Sequence, residues 1–396
     1  MNFISNFLEW TKLAESPESY FRWAAIAGIS AILRDNVFTE WGVKGRLYPN
    51  LFVLNVGPPA IGKQLPSRMI IDLVKATGNT RVIAGSASIQ AVIKELGVRE
   101  SGGLRGASCL LYSEELASFY ATEKGTNMLL NDLADFHPLW ERLLVSWQAK
   151  LERVCVTLLA ASNETNLKTV FDQIAVNGGL LSKTIINIED KKRHKDPMIR
   201  KVISPPGMED NLKAVLKCIS KLRGEMTWEQ DAADEFSSWY EQWDENQDKT
   251  GVAGRMKTHI KKVGMCLVVA DGTGELRIRK PHIEEAIDLV IPLYRNYRVI
   301  SMESGKAATA EPAALILRIL GESKDYRMKE RTMLRRFLGQ LNIQILTDVM
   351  PTLEKAELVM SITENNEQTY VLMPKAIELY VKKKQKVVKI KEREAL

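Results

Sequence analysis

One short segment constrains this chain more than any other: Gly57-Pro58-Pro59-Ala60-Ile61-Gly62-Lys63-Gln64, which fits the pattern G-x-x-x-x-G-K. An apolar run, LFVLNV (51–56), precedes it, and the amphipathic stretch PSRMIIDLVKAT follows. The run is short and bounded by breakers, which predicts a buried strand of a parallel sheet. A strand entering a glycine-rich turn and leaving as a helix is the context in which this pattern has a mechanism. The glycines let backbone amides face a phosphate, and Lys63 reaches the outer phosphates. The expected binding stretch is therefore Gly57, Pro58, Pro59, Ala60, Ile61, Gly62, Lys63, Gln64 and Leu65. Position 64 departs from the pattern, which asks for a Ser or Thr hydroxyl to ligate Mg²⁺. The Gln64 carbonyl oxygen is the candidate metal ligand in its place.

Hydrolysis at such a loop needs an acidic pair at the end of a second strand. One acid orients the metal and its water, and the next activates the attacking water. CLLY-Ser113-Glu114-Glu115 supplies the pair, with Glu114 expected in the metal shell and Glu115 as the activating base. The alternative for these acids is a solvated helix start, where negative charge is favoured anyway. A third apolar run, VCVTLLAAS (154–162), ends at Asn163, a polar side chain placed to sense a γ-phosphate and hold the water. Alone, an Asn at a strand–helix turn is usually a cap. A fourth run, KTIINIE (183–189), completes an alternation of strands and helices over the first half of the chain, which predicts an α/β sheet domain.

In order, GPPAIGK, LLYSEE, AASN, GGLLSKTIINIED and GRMKTHIKKVGMCLVVAD resemble the core of an AAA+-type P-loop ATPase. The likeness is to minichromosome-maintenance (MCM) helicases and to the phage and mobile-element replication proteins related to them. It covers about residues 16–295, and a C-terminal winged helix extends it to about residue 375. The resemblance implies ATP and Mg²⁺ as cofactors and a homo-oligomeric ring, a hexamer, with ATP at subunit interfaces. It also implies single-stranded or forked DNA as substrate and replication proteins as partners. In such proteins the segment matching Gly178 to Lys183 ends in an arginine that reaches the neighbouring subunit's ATP; here that residue is Lys183. Lysine is a point charge and lacks the guanidinium fork. Arg255 matches the arginine that contacts the γ-phosphate from the helical lid.

The fold class expected is α/β: a P-loop NTPase (AAA+-like) parallel-sheet core, a helical lid and a C-terminal winged-helix domain. The boundaries run as an N-terminal helical segment (1–45), the ATPase core (46–207), the lid (208–301), a linker (302–312), the winged helix (313–375) and a basic tail (376–396). In the N-terminal segment Ser16 is the expected helix cap with Pro17 at the first helical position, and Thr227 and Pro281 are expected to open lid helices. Residues 116–148 are expected to be largely helical, strands are expected to vanish from about residue 208, and VMSIT and TYVLM predict a hairpin. Trp228, Trp239, Tyr240 and Trp243 recur at near-helical spacing and read as lid core.

Charge and composition narrow the partners. Lys+Arg total 55 and Asp+Glu 49, a net charge of +6 that does not by itself imply nucleic-acid binding. The surplus gathers in KKRHKDPMIRK (191–201) and in the C-terminal lysine run, each either a phosphate-backbone contact or a solvated surface. In the winged-helix region the bases Lys329, Arg331, Arg335 and Arg336 lie on the second helix, while the third is acidic, which leaves DNA contact and protein contact both open. No run approaches the length of a bilayer span, and MNFISNFLEW lacks a basic signal region, so no membrane association and a cytoplasmic location are expected. Cys109, Cys155, Cys218 and Cys266 read as reduced core residues, and the four histidines sit in dissimilar contexts. Three readings follow, one of them a transcriptional regulator in which the winged helix reads DNA and the ATPase domain oligomerises; the other two are replication proteins. One is an ATP-dependent DNA helicase or translocase serving replication of a phage or mobile element. The other is a nucleotide-binding replication adaptor or initiator whose ATPase is weakened or lost, as Gln64 and Lys183 suggest.

Overall fold

The computed structural model describes residues 2–43, 45–85, 88–97, 106–119, 126–144, 147–171, 179–196, 207–248, 250–297, 300, 310–364 and 367–377. Two compact units divide the chain, Met1–Ser304 and Gly305–Leu396. The first is mixed α/β, built on a largely parallel sheet.

After the helices Phe3–Trp10 and Glu18–Leu33, the first strands of this unit are β1 (Val37–Trp41) and β2 (Gly45–Leu47), paired antiparallel. Then come β3 (Phe52–Val56), β4 (Arg81–Ala84), β5 (Ser108–Ser113), β6 (His137–Leu144), β7 (Trp147–Ser162) and β8 (Thr184–Ile188). The central sheet has the order β4-β5-β7-β3-β8, every neighbouring pair parallel. All five residues of β3 are buried, as a strand covered on both faces requires. The helix Glu18–Leu33 is buried nearly all round, whereas the helix Gln64–Lys75 buries only the face carrying Ile70, Ile71, Leu73 and Val74.

Because the neighbours are parallel, β3, β5 and β7 all end at one edge of the sheet. Val56 pairs with Ser162 and Ser113 with Ala160, so the segments following all three strands emerge side by side. Ligands of open α/β sheets bind at this carboxyl edge.

Several sequence expectations require correction. Within the segment expected to be helical (1–45), Val37–Trp41 is a strand: VFTEW carries the β-branched and aromatic pattern of a half-buried strand. Among the described residues of 116–148, helix is confined to a 3-10 turn, Leu116–Phe119, and the helix Thr126–Leu133. Downstream, β6 folds antiparallel onto the first half of β7, whose second half then joins the sheet. The changeover falls at Arg153, which has a left-handed backbone (φ 51°) and breaks the simple alternation a strand is read by. Short strands persist beyond residue 208: β9 (Gly224–Glu225) pairs with β1, and β10 (Thr227–Trp228) pairs with β11 (Arg277–Ile278). Thr227 therefore sits in a strand, and its helix starts at Gln230, while Pro281 does lie in the first turn of Lys280–Val290. Pro17 is the cap of its helix, and Ser16 is released for another role. Cys109, Cys155 and Cys266 are buried and reduced, but Cys218 is exposed.

The helices of 208–297 share one continuous hydrophobic core with the sheet. Within it, Phe236, Trp239, Tyr240 and Trp243 form a chain of ring contacts with centroids 5.7–6.3 Å apart. No described helix is long and apolar enough to cross a membrane.

The second unit has its own core, around Ile316, Leu320, Met333, Leu346 and Val349. It holds the helices Ala310–Gly321, Glu330–Arg336 and Ile343–Lys355 and the strands β12 (Arg327–Lys329), β13 (Val359–Glu364) and β14 (Glu367–Leu372), ordered β12-β14-β13 and antiparallel. Of the expected linker (302–312), residues 302–309 lie outside the described residues and 310–312 begin the helix Ala310–Gly321; of the basic tail (376–396), residues from 378 lie outside them.

Candidate functional site

At the carboxyl edge of the sheet a cleft of about 650 Å³ is lined by Pro59, Ala60, Ile61, Gly62, Lys63 and Gln64 of the loop, with Arg68, Glu114, Glu115 and Asn163 among the remaining residues. The fold thus brings together the glycine-rich loop, the acidic pair and the polar residue after β7, although some fifty residues separate each from the next.

The loop's shape follows from close packing. A Cβ on Gly57 would lie 2.5 Å from both the Glu189 carbonyl oxygen and the Tyr20 hydroxyl, so no side chain fits. Gly62 has φ +95°, and a Cβ there would meet the Ser16 hydroxyl at 2.4 Å. That hydroxyl donates to the Gly62 carbonyl at 2.8 Å, and the Tyr20 hydroxyl donates to the Val56 carbonyl at 2.6 Å. Ser16 and Tyr20 therefore brace the loop from the segment before it. Ala60 adopts a left-handed backbone (φ 65°), a strained state for a residue with a Cβ. Among the described residues, no backbone carbonyl stands in normal hydrogen-bond geometry to the amides of Ala60, Ile61, Gly62 or Lys63. The helix Gln64–Lys75 starts beside them, with the positive end of its dipole at the loop.

Lys63 folds back on the loop, donating to the Gly57 carbonyl and, at 3.1 Å, to the Pro58 carbonyl. Burial pulls its pKa below the usual lysine value, and the Glu115 carboxylate opposes that fall. Glu115 is held in turn: its Oε1 accepts from the Ser162 hydroxyl at 2.7 Å and from the Ala117 amide at 3.4 Å. Asn163 caps the helix Glu164–Val170, its side-chain oxygen accepting from the Asn166 amide at 2.9 Å. Its NH₂ end remains as a donor at the cleft wall.

The remaining wall is a closed network. Gln64 Nε2 donates to Glu114 Oε2 at 3.0 Å, and Arg68 Nη2 donates to Glu114 Oε1 at 2.7 Å and to Gln64 Oε1 at 3.2 Å. Bonding to Glu114 raises the Arg68 pKa, so the guanidinium stays charged. Each of the two residues expected to ligate Mg²⁺ thus directs one oxygen at Arg68, and the second Glu114 oxygen accepts from Gln64.

Magnesium needs near-octahedral oxygen ligands. Here each candidate protein oxygen already accepts a hydrogen bond, and a positive charge stands beside Glu114. This donor set does not fit the metal. Among the described residues no cluster of three or more His, Cys, Asp or Glu side chains is arranged to hold a metal ion.

No protein-family model matches the chain, and no curated protein matches it.

Two residues carried by the resemblance lie elsewhere. Lys183 immediately precedes β8, whose first residue, Thr184, pairs with Phe52 at the start of β3. It is therefore at the opposite edge of the sheet from the loop, roughly 15 Å away at about 3.3 Å per residue. Its ammonium pairs with Asp135 at 2.7 Å and donates to the Asn131 carbonyl at 3.1 Å, and only 12% of its side chain is exposed. Burial would raise the Asp135 pKa, but the Lys183 hydrogen bond and the charges of Lys183, Arg255 and Lys262 outweigh it and hold the carboxyl below its usual range. Arg255, in the first turn of the helix Val252–Ala270, belongs to this second charge cluster and does not line the cleft.

The basic stretch after β8 is also engaged. Lys192 pairs with Glu15 at 2.6 Å, Arg193 with Glu18 at 2.7 Å, and the Asp196 amide donates to Glu15 at 2.7 Å. Residues 197–201 of that stretch lie outside the described residues.

The site roles of Arg68, Ser162 and Ser16 are not legible in the sequence, where Ser16 reads only as a helix cap. Arg68 alone left a local signal, since it falls four residues after Gln64 and so on the same helix face.

Proposed function

We propose that the cleft binds ATP by its triphosphate and that the chain is a nucleotide-binding adaptor or initiator of DNA replication with weakened hydrolysis. The observation that carries this reading is the braced loop, whose four amides meet no backbone carbonyl in normal hydrogen-bond geometry among the described residues, beside Lys63 and a helix N-terminus. The strand order and the placement of Glu115 and Asn163 support an AAA+-like P-loop core. On that reading the helices of 208–297 act as its lid, and the three helices and hairpin of the second unit form a winged helix. Assembly into a ring, a hexamer with nucleotide at its subunit interfaces, and contact with single-stranded or forked DNA rest on the resemblance. Weak hydrolysis is supported by the absence of a hydroxyl at Gln64 and by the intramolecular pairing of Lys183.

A second reading, the helicase or translocase, is favoured by one feature. Glu115 is oriented by Ser162, as a base for water activation must be. ATP turnover with and without single-stranded DNA separates the two, since the motor predicts DNA-stimulated hydrolysis and the adaptor does not.

Calorimetric titration with ATP tests the shared premise. Lys63→Ala should weaken binding by about tenfold or more, the scale of a lost charge-assisted hydrogen bond to phosphate. Equal affinity in the variant would remove the premise.

A further inference from the structure

Resting on the nucleotide-binding reading, we propose that Arg68 takes the charge-neutralising place of the divalent cation, so that this cleft holds ATP without Mg²⁺. Beside a triphosphate a metal neutralises charge and bridges β- and γ-oxygens. Arginine supplies the same sign of charge through a planar fork that matches phosphate oxygens. Arg68 lines the cleft one helical turn beyond Gln64, with 60% of its side chain exposed. Its bonds to Gln64 and Glu114 all run from Nη2, and the Tyr112 hydroxyl also lies beside the guanidinium; of its five N–H donors this leaves some to face a phosphate.

Gln64 and Glu114 acquire a role in this arrangement. Together they fix the guanidinium against the loop's helix, as positioning residues for a cation supplied by the chain itself. A hydroxyl at position 64 would be too short to reach Arg68 in this way, and it would present the oxygen a metal needs. The replacement of Ser or Thr by Gln and the presence of Arg one turn later are then one device. Its sign is consistent: the cation sits where the metal's charge would be required, and it also repels a dication.

The test is ATP affinity of the full-length protein, with Mg²⁺ and with EDTA, for wild type, Arg68→Ala and Arg68→Lys. Wild-type affinity should agree between the two conditions within about threefold. Arg68→Ala should lose about tenfold or more in EDTA and recover with Mg²⁺, because removing the guanidinium also frees Glu114. Arg68→Lys should fall between, keeping the charge and losing the fork. Wild-type binding that collapses in EDTA would overturn the inference and leave the nucleotide-binding reading standing. So would Arg68→Ala binding as wild type does in EDTA. Absence of ATP binding under both conditions would overturn both. Arg68 is exposed and outside the core, so the variants retain the fold, and near-ultraviolet circular dichroism checks this.

Discussion

His259 shows at the scale of a single side chain how burial sets behaviour. It is fully enclosed, with Nε2 against the Ser182 carbonyl at 2.8 Å, and burial pushes its pKa down from 6.5 to about 4, with the Ser182 bond opposing and nearby Lys262 and Arg255 adding to the fall. The unfolded chain takes up a proton below about pH 6.5 while the folded protein refuses it until about pH 4. Stability from this residue is therefore complete above that upper value and drains as pH falls through the window. The loss reaches about 3 kcal/mol by about pH 4. Urea unfolding of wild type and His259→Gln across that range should diverge by this amount, the wild type losing more; parallel pH profiles would refute it. Nothing in the local sequence signals the shift, because the burial that causes it comes from packing of the helix Val252–Ala270 within the core, among residues distant in the chain. Asp135, the partner of Lys183, was hidden for the same reason. Lys63 and Glu115, by contrast, lie at the ends of strands whose apolar runs are plain in the sequence, which is why they could be placed beforehand.

Among elements, the helix Gln64–Lys75 decides what the cleft can do. Its first two turns carry Gln64 and Arg68 on one face, against Glu114 from the end of β5. Restoring a metal-ligating hydroxyl alone leaves Arg68 beside Glu114. Gln64→Thr should therefore change ATP turnover little, whereas Gln64→Thr with Arg68→Ala should gain Mg²⁺-dependent turnover by about tenfold or more, a non-additive result expected of residues in one network. Equal turnover in the single and double variants would show that Arg68 does not control the site. The elements themselves were unevenly legible. Buried strands β3, β5 and β8 stand out as short apolar runs between breakers. β6 and the first half of β7 did not, because they mix polar and apolar residues without a clean period up to the left-handed Arg153, whereas the second half of β7 reads as the apolar run 154–162. β4 was equally hard to see, being short and only partly buried.

The whole molecule comprises two units with separate hydrophobic cores. Separate cores predict separate cooperative transitions. The fragment Gly305–Leu396 made alone should unfold cooperatively, with the midpoint of one transition of the full chain. A gradual, non-cooperative melt of that fragment would contradict the division. At this scale the net charge of +6 takes on a different meaning. A polyanion binds basic side chains largely by setting free the small ions condensed on itself, and only cations open to approach take part. Lys192 and Arg193 are already matched by Glu15 and Glu18, so along this stretch the protein carries its own counterions. Those acids flank Ser16, the residue that braces Gly62. Any polyanion seeking Lys192 and Arg193 must first evict carboxylates anchored to the foundation of the cleft. For these two residues the exchange is one anion for another, and it adds little to the salt dependence that a count of positive charges would suggest.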